Sequence, residues 1–240
     1  MNPLLLPIVA AQGLWVRSRT ERIPPASGPT EGTEGEGAGA PMRIGVLGES
    51  TAAGCGVDTQ AEAFPALLAG MLAGRTGRTV AWQVVGEYGA TLRRVRHRLM
   101  PGLGGDLDVA TLLVGVNDVL VRRSPQEWAD DLEAVVDHLA GQAEHVVVAG
   151  TPPFASVPSL PGALGRFLAE QAAALDVASR RVCAERERVT WIGAEALLPM
   201  EPEFFARDGF HPGAIGYRRW AEAIADHLAD HCGDLLSEAV

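Results

Sequence analysis

Read as apolar and polar positions, the chain from residue 42 onward alternates two patterns. Short apolar runs with no helical period predict five buried strands: Arg43–Leu47, Thr79–Val85, Asp108–Val116, His145–Ala149 and Val189–Ile192. Between them apolar residues recur every three or four positions, the spacing of one helix face. Phe64, Leu67, Leu68, Met71 and Leu72 mark a first helix, and Leu92, Val95 and Leu99 a second within Thr91–Met100. Trp128, Leu132, Val135, Val136 and Leu139 mark a third. It opens on Ser124-Pro125-Gln126-Glu127, a serine N-cap, a proline in the first turn and a glutamate placed to reach back. Leu164, Phe167, Leu168, Gln171, Leu175 and Val182 form a fourth stripe, and Tyr217, Trp220, Ala221, Ile224 and Leu228 a last one. Strands this short, joined by helical crossovers, predict an α/β fold with a five-stranded parallel sheet covered on both faces. Asp108–Val116, nearly all apolar, belongs at its centre.

Two segments precede this domain. Met1–Val16 is apolar and is followed by Arg17, Arg19 and Arg22. It is short for a membrane span and is interrupted by Pro7, Gln12 and Gly13. As an export signal it lacks a basic start and a good cleavage pattern. Residues 1–23 are therefore read first as a helix docked on the domain, with peripheral membrane contact and export as the other readings. Residues 24–41 (PPASGPTEGTEGEGAGAP) hold no large apolar side chain and read as a flexible linker. The domain then spans 42–232, and 233–240 is a tail.

Composition narrows the function. With 240 residues, 47% of them hydrophobic, the chain can bury one substantial core. A net charge of −10 argues against a nucleic-acid partner, which needs clustered Lys and Arg. The one basic run, Arg93–Arg98, lies on a predicted helix and reads as a solvated face. Cys55, Cys183 and Cys232 show neither metal spacing nor a disulfide framework. Their default reading is a reducing, cytoplasmic compartment.

In an open α/β sheet, ligands bind beyond the carboxyl ends of the strands. Ser50 follows the first predicted strand, Gly86-Glu87-Tyr88-Gly89-Ala90-Thr91 the second, Asn117-Asp118 the third, and Asp208-Gly209-Phe210-His211-Pro212 the fifth. Each suits acyl transfer. A serine hydroxyl needs a neighbouring base, for which His211 is the candidate. An imidazole needs a carboxylate to fix its tautomer, and Asp208 lies three residues earlier. The N–H groups of Ser50 and Gly89 and the Asn117 amide are candidate donors to an oxyanion. Glu87 and Asp118 read as solvated loop carboxylates, and Cys55 as a small packed residue. The loop Thr151–Pro161 carries Phe154, Val157 and Leu160, which suit an acyl chain or plain packing.

Four blocks, GEST, GEYGAT, GVND and DGFHP, stand in order over about residues 42–228. In this the chain resembles the SGNH hydrolase (GDSL-type esterase and lipase) family. The resemblance implies a flavodoxin-like three-layer α/β/α sandwich. It implies a small-molecule ester or thioester substrate, and no metal or cofactor. It also implies Ser50 as nucleophile, His211 as base, Asp208 as its orienter, and Ser50, Gly89 and Asn117 as the oxyanion hole. Two positions depart from the family pattern. Glu49 stands where an aspartate is usual, and Gly86 stands where an asparagine often follows the second strand, so Gly86 is a second candidate for the hole. Acyl transfer to a sugar hydroxyl, or a silent carbohydrate- or lipid-binding module, are the competing functions. The order Ser…Asp…His also fits α/β-hydrolases, but their serine sits in G-x-S-x-G well inside the chain.

Overall fold

A computed structural model of the chain describes residues 6–231. The start of the leader, Cys232 and the tail at 233–240 lie outside the described residues. The centre is a six-stranded sheet in the order β1-β3-β2-β4-β5-β6. These strands are β1 Glu31–Glu34, β2 Met42–Gly48, β3 Val80–Gly86, β4 Leu107–Leu113, β5 Ala143–Ala149 and β6 Val189–Ile192. The five expected strands pair in parallel, with β4 between β2 and β5.

The strand count is a correction. β1 pairs antiparallel with β3, Glu31 opposite Gln83 and Glu34 opposite Val80, so the sheet is mixed. β1 comes from the stretch expected to be a flexible linker. It has no apolar signature because it is held at the sheet edge through its main chain, with its side chains half or fully exposed. Gly32 lies flat on the Trp82 indole, where a Cβ would come within 2.9 Å of the ring. Farther up the same stretch, Ala26 N–H donates to the Ala53 carbonyl at 3.1 Å and Ser27 N–H to that of Asp58 at 2.9 Å.

The helices are α1 Leu6–Arg19, α2 Phe64–Thr76, α3 Leu92–Arg94, α4 Val116–Leu120, α5 Pro125–Ala140, α6 Gly162–Ala184 and α7 Ala214–His231. Alternation along the strands sends side chains to two separate cores. Met42, Ile44, Val46, Val109, Leu113 and Val147 meet α2 and α7. Leu47, Ala110, Leu112, Val146 and Val148 meet α5 and α6. α1 lies outside α6 and contributes Val9 to that second core. The predicted start of α5 is present in full: the Ser124 Oγ accepts the Glu127 N–H, and the Glu127 carboxylate accepts the Ser124 N–H.

Three local readings change. The helix expected over Thr91–Met100 is split into α3, a π-helical turn Val95–Leu99 and a 3-10 turn Met100–Gly102. The basic run on it is not wholly solvated, because Arg96 reaches the buried carboxylate of Asp131 at 2.9 Å, which Arg123 also binds. The strand expected to run to Val116 stops at Leu113, and Val116-Asn117-Asp118 opens α4.

Candidate active site

Every predicted site residue lies at the carboxyl edge of the sheet. Ser50 follows β2 in a tight turn, whose start is fixed by Glu49 N–H to the Leu113 carbonyl at 3.0 Å. Cys55 N–H returns to the Ser50 carbonyl at 3.0 Å. The far side of the turn is held by α7, where the buried Tyr217 hydroxyl donates to the Cys55 carbonyl at 2.7 Å.

His211 reaches Ser50 from 161 residues away in sequence, with Nε2 at 3.1 Å from the Oγ. Its Nδ1 lies 2.6 Å from Asp208 Oδ2. A carboxylate accepts only, so Nδ1 carries the proton and Nε2 presents a lone pair to the serine O–H. Asp208 Oδ1 accepts the backbone N–H of Phe210 and of His211, which locks the short turn between the two residues. Burial works to raise the Asp208 carboxyl. The hydrogen bond from the His211 ring and those from the backbone outweigh it and hold the group below its ordinary range. Ser50 and His211 are only 6% and 5% exposed, so water contributes little to their contact. The edge of Phe210 packs on the imidazole at 5.4 Å between centroids, and Tyr88 lies on another side at 6.0 Å.

The structure separates the two candidate glycines. Gly86 ends β3, in register with Gly48, and its Cα is pressed on the main chain of Ala52 and Ala53. Gly89 sits in an exposed turn with φ +77° and open space around it. Neither its N–H nor that of Ser50 has an acceptor among the described residues. Asn117 stands at the first turn of α4. Its Nδ2 lies 2.5 Å from Glu49 Oε2 and 3.1 Å from the Ala90 carbonyl, so both amide hydrogens are engaged in this structure.

Two carboxyls lie behind the site, and one of them differs from expectation. Glu49 is enclosed, and its oxygens accept the Val116 N–H at 3.0 Å and the Asn117 N–H at 3.1 Å. Burial pushes it up to about 8, against the pull of those two N–H groups and with a further push from Asp118. From the end of β2 its carboxyl reaches the first turn of α4. Asp118 is a correction, because it is fully buried and not a solvated loop group. It accepts the Leu92 N–H at 2.8 Å, tying the Gly89 loop to α4, and burial pushes it up to about 6. Glu87 instead pairs with Arg94 at 2.7 Å. Cys55 is buried with its thiol pushed up to about 12 by burial and by Asp208, which fits a packed residue.

Next to Ser50 and His211 opens a narrow apolar pocket of about 30 Å³. Phe154 and Val157 of the predicted loop line it, together with Leu197, Met200, Phe204 and Trp220. The region 193–207 had no periodic signal to mark it, and only its return across the sheet edge brings it to the site.

Residues 46–219 match the model of the GDSL-like Lipase/Acylhydrolase family. The chain is similar to a GDSL-like esterase, Rv1075c, of Mycobacterium tuberculosis, at 26% identity over 204 residues, or 79% of this chain. It spans 62% of that relative's length. Among solved structures, a family 3 carbohydrate esterase of Clostridium thermocellum superposes with a TM-score of 0.62 at 16% identity, covering 82% of this chain and 100% of that one. A catalytic mutant of Axe2, an acetylxylan esterase from Geobacillus stearothermophilus, gives 0.59 at 15% identity, with 80% and 96% covered. At such identities these two likenesses speak for the fold.

Proposed function

The chain belongs to the GDSL-like lipase/acylhydrolase family, and from that premise we propose that it hydrolyses carboxylic esters through an acyl-enzyme on Ser50. The observation that carries this reading is the continuous hydrogen-bonded line Ser50–His211–Asp208, 3.1 Å and 2.6 Å long in its two links. Ser50 Oγ attacks the ester carbonyl carbon as its proton passes to His211 Nε2. Asp208, held ionised, keeps the imidazole in the right tautomer and stabilises it once protonated. The carbonyl oxygen becomes an oxyanion facing the N–H groups of Ser50 and Gly89. Asn117 joins them by giving up its bond to the Ala90 carbonyl. The C–O bond breaks, and the alcohol leaves with the proton from His211. Water then attacks the acyl-enzyme, passes a proton to His211, and releases the acid and free Ser50.

The pocket size supports a short acyl part. The opening beside Ser50 is narrow, about 30 Å³, and walled by Phe154, Val157, Leu197 and Phe204, which favours a small acyl group such as acetyl over a bulky one. Nitrophenyl esters from acetyl to palmitoyl test both claims. Acetyl to butyryl esters should be turned over fastest, and Ser50→Ala should abolish turnover and labelling by a fluorophosphonate while the melting temperature holds. Turnover that survives Ser50→Ala defeats the mechanism, and a palmitoyl preference defeats the pocket assignment.

A further inference from the structure

α1 is apolar on two sides, and the domain covers only one of them. Val9 is buried in the core beneath α6, and Val16 packs against it. Gln12 Oε1 accepts the Leu164 N–H at the start of α6, at 3.0 Å. At 3.6 residues per turn, positions 9, 12 and 16 form one stripe, and Ile8, Leu14 and Trp15 fall on the flanks and the opposite side. Leu14 is 71% exposed, Trp15 51% and Ile8 48%. A tryptophan and two long aliphatics left open on one helix mark a surface that meets something apolar.

The charges around this face give the chemistry of the partner. α1 contains no acidic residue. Arg17 and Arg19 occupy its last turn, and Arg22 follows. The Arg19 guanidinium lies 5.6 Å from the Trp15 ring centroid. The nearby Glu21 is taken by Arg207 at 3.1 Å, so it does not neutralise the arginines of α1. In a chain of net charge −10, this is a local cationic cluster beside exposed apolar side chains. Fourteen residues rise about 21 Å, short of the ~30 Å hydrocarbon layer. No helix among the described residues is long and apolar enough to cross a membrane. A helix too short to cross, apolar on its outer side and ending in arginines, can rest against the headgroups with its tryptophan at the boundary and its arginines on phosphate.

We infer that α1 is an interfacial helix that seats the protein on an anionic lipid surface through Ile8, Leu14 and Trp15, with Arg17 and Arg19 on the headgroups. The chain runs on from α1 to the catalytic mouth. Arg22 stacks over Tyr88 at 5.6 Å, and Tyr88 adjoins His211. The rim of the site therefore lies within a few residues of the end of α1.

The test is co-sedimentation of the full chain with vesicles of phosphatidylcholine alone and of phosphatidylcholine mixed with phosphatidylglycerol, with light scattering of the free protein. Strong binding to the mixed vesicles and weak binding to the neutral ones is expected. Arg17→Ala and Arg19→Ala should each weaken binding to the mixed vesicles roughly fivefold. Leu14→Asp with Trp15→Ser should weaken it more than tenfold at an unchanged melting temperature. Vesicles should shift tryptophan emission to the blue in the native chain but not in Trp15→Phe. Failure to bind, equal binding by the double variant, or a dimer in solution that Leu14→Asp dissolves would overturn the inference. The last result would assign the face to a second copy of the chain.

Discussion

Gly86→Ala perturbs the site without touching a reacting atom. A Cβ at residue 86 would lie 2.5 Å from the Ala53 nitrogen and 2.8 Å from the Ala52 carbonyl carbon, whereas ordinary contact begins near 3.4 Å. Backbone cannot rotate away as a side-chain tip can, so the 52–53 segment must retreat by about 1 Å to regain normal contact. That segment follows Ser50 and Thr51 directly and is tied back to the strand end by Ala53 N–H to the Glu49 carbonyl at 3.0 Å. The Ser50 hydroxyl moves with it, and a bond of 3.1 Å to His211 has little slack. A displacement of that size costs about 10²-fold in rate. The overpacking costs about 1–3 kcal/mol of stability. Gly89→Ala is the contrast. Nothing lies near its Cβ, so it meets only the left-handed strain of φ +77°, about 1–2 kcal/mol. The assay is kcat/KM on nitrophenyl acetate beside thermal unfolding in the same buffer. Gly86→Ala with native rate and native melting would refute the claim that this glycine exists for close packing behind Ser50.

Asp208→Asn should lower kcat by about 10⁴-fold with little change in KM, because the imidazole then loses its tautomer control; a loss under tenfold would contradict the role. Tyr217→Phe leaves the buried Cys55 carbonyl without its donor and should cost about 1–3 kcal/mol, seen as a fall in melting temperature of several degrees. Calorimetry across pH tests the buried carboxyls. Glu49 (to about 8) and Asp118 (to about 6) keep protons that the unfolded chain sheds above its ordinary carboxyl range. Their contribution is full in acid, below that range, and is lost as pH rises toward 8. The loss amounts to a few kcal/mol, since each tenfold change in proton affinity is worth about 1.4 kcal/mol. Asp208 acts in the other sense, and its contribution is lost as pH falls below the ordinary carboxyl range. Glu49→Gln should remove most of the alkaline arm; an unchanged slope would show that Glu49 does not titrate there.

Much of this protein was legible in its residues. The five parallel strands, the capped start of α5 and the stripes of α2, α6 and α7 follow from apolar spacing, because burial of one face is a local demand on the sequence. That Ser50, Gly89, Asn117, Asp208 and His211 would gather at one edge of the sheet was legible for a related reason: each follows a strand end, and strand ends can be read. β1 was not legible, since a strand held at an edge by main-chain hydrogen bonds leaves no trace in side-chain pattern. Nor was the burial of Asp118, because a carboxylate looks the same in sequence whether it meets water or the N–H of Leu92. The apolar pocket likewise joins Phe154 to Leu197 and Trp220, and what distinguishes Gly86 from Gly89 is whose Cα lies against Ala52 and Ala53. Sequence pattern records what each segment needs from its own surroundings. Which distant segments meet is decided only when the two cores close and exclude the alternatives by packing.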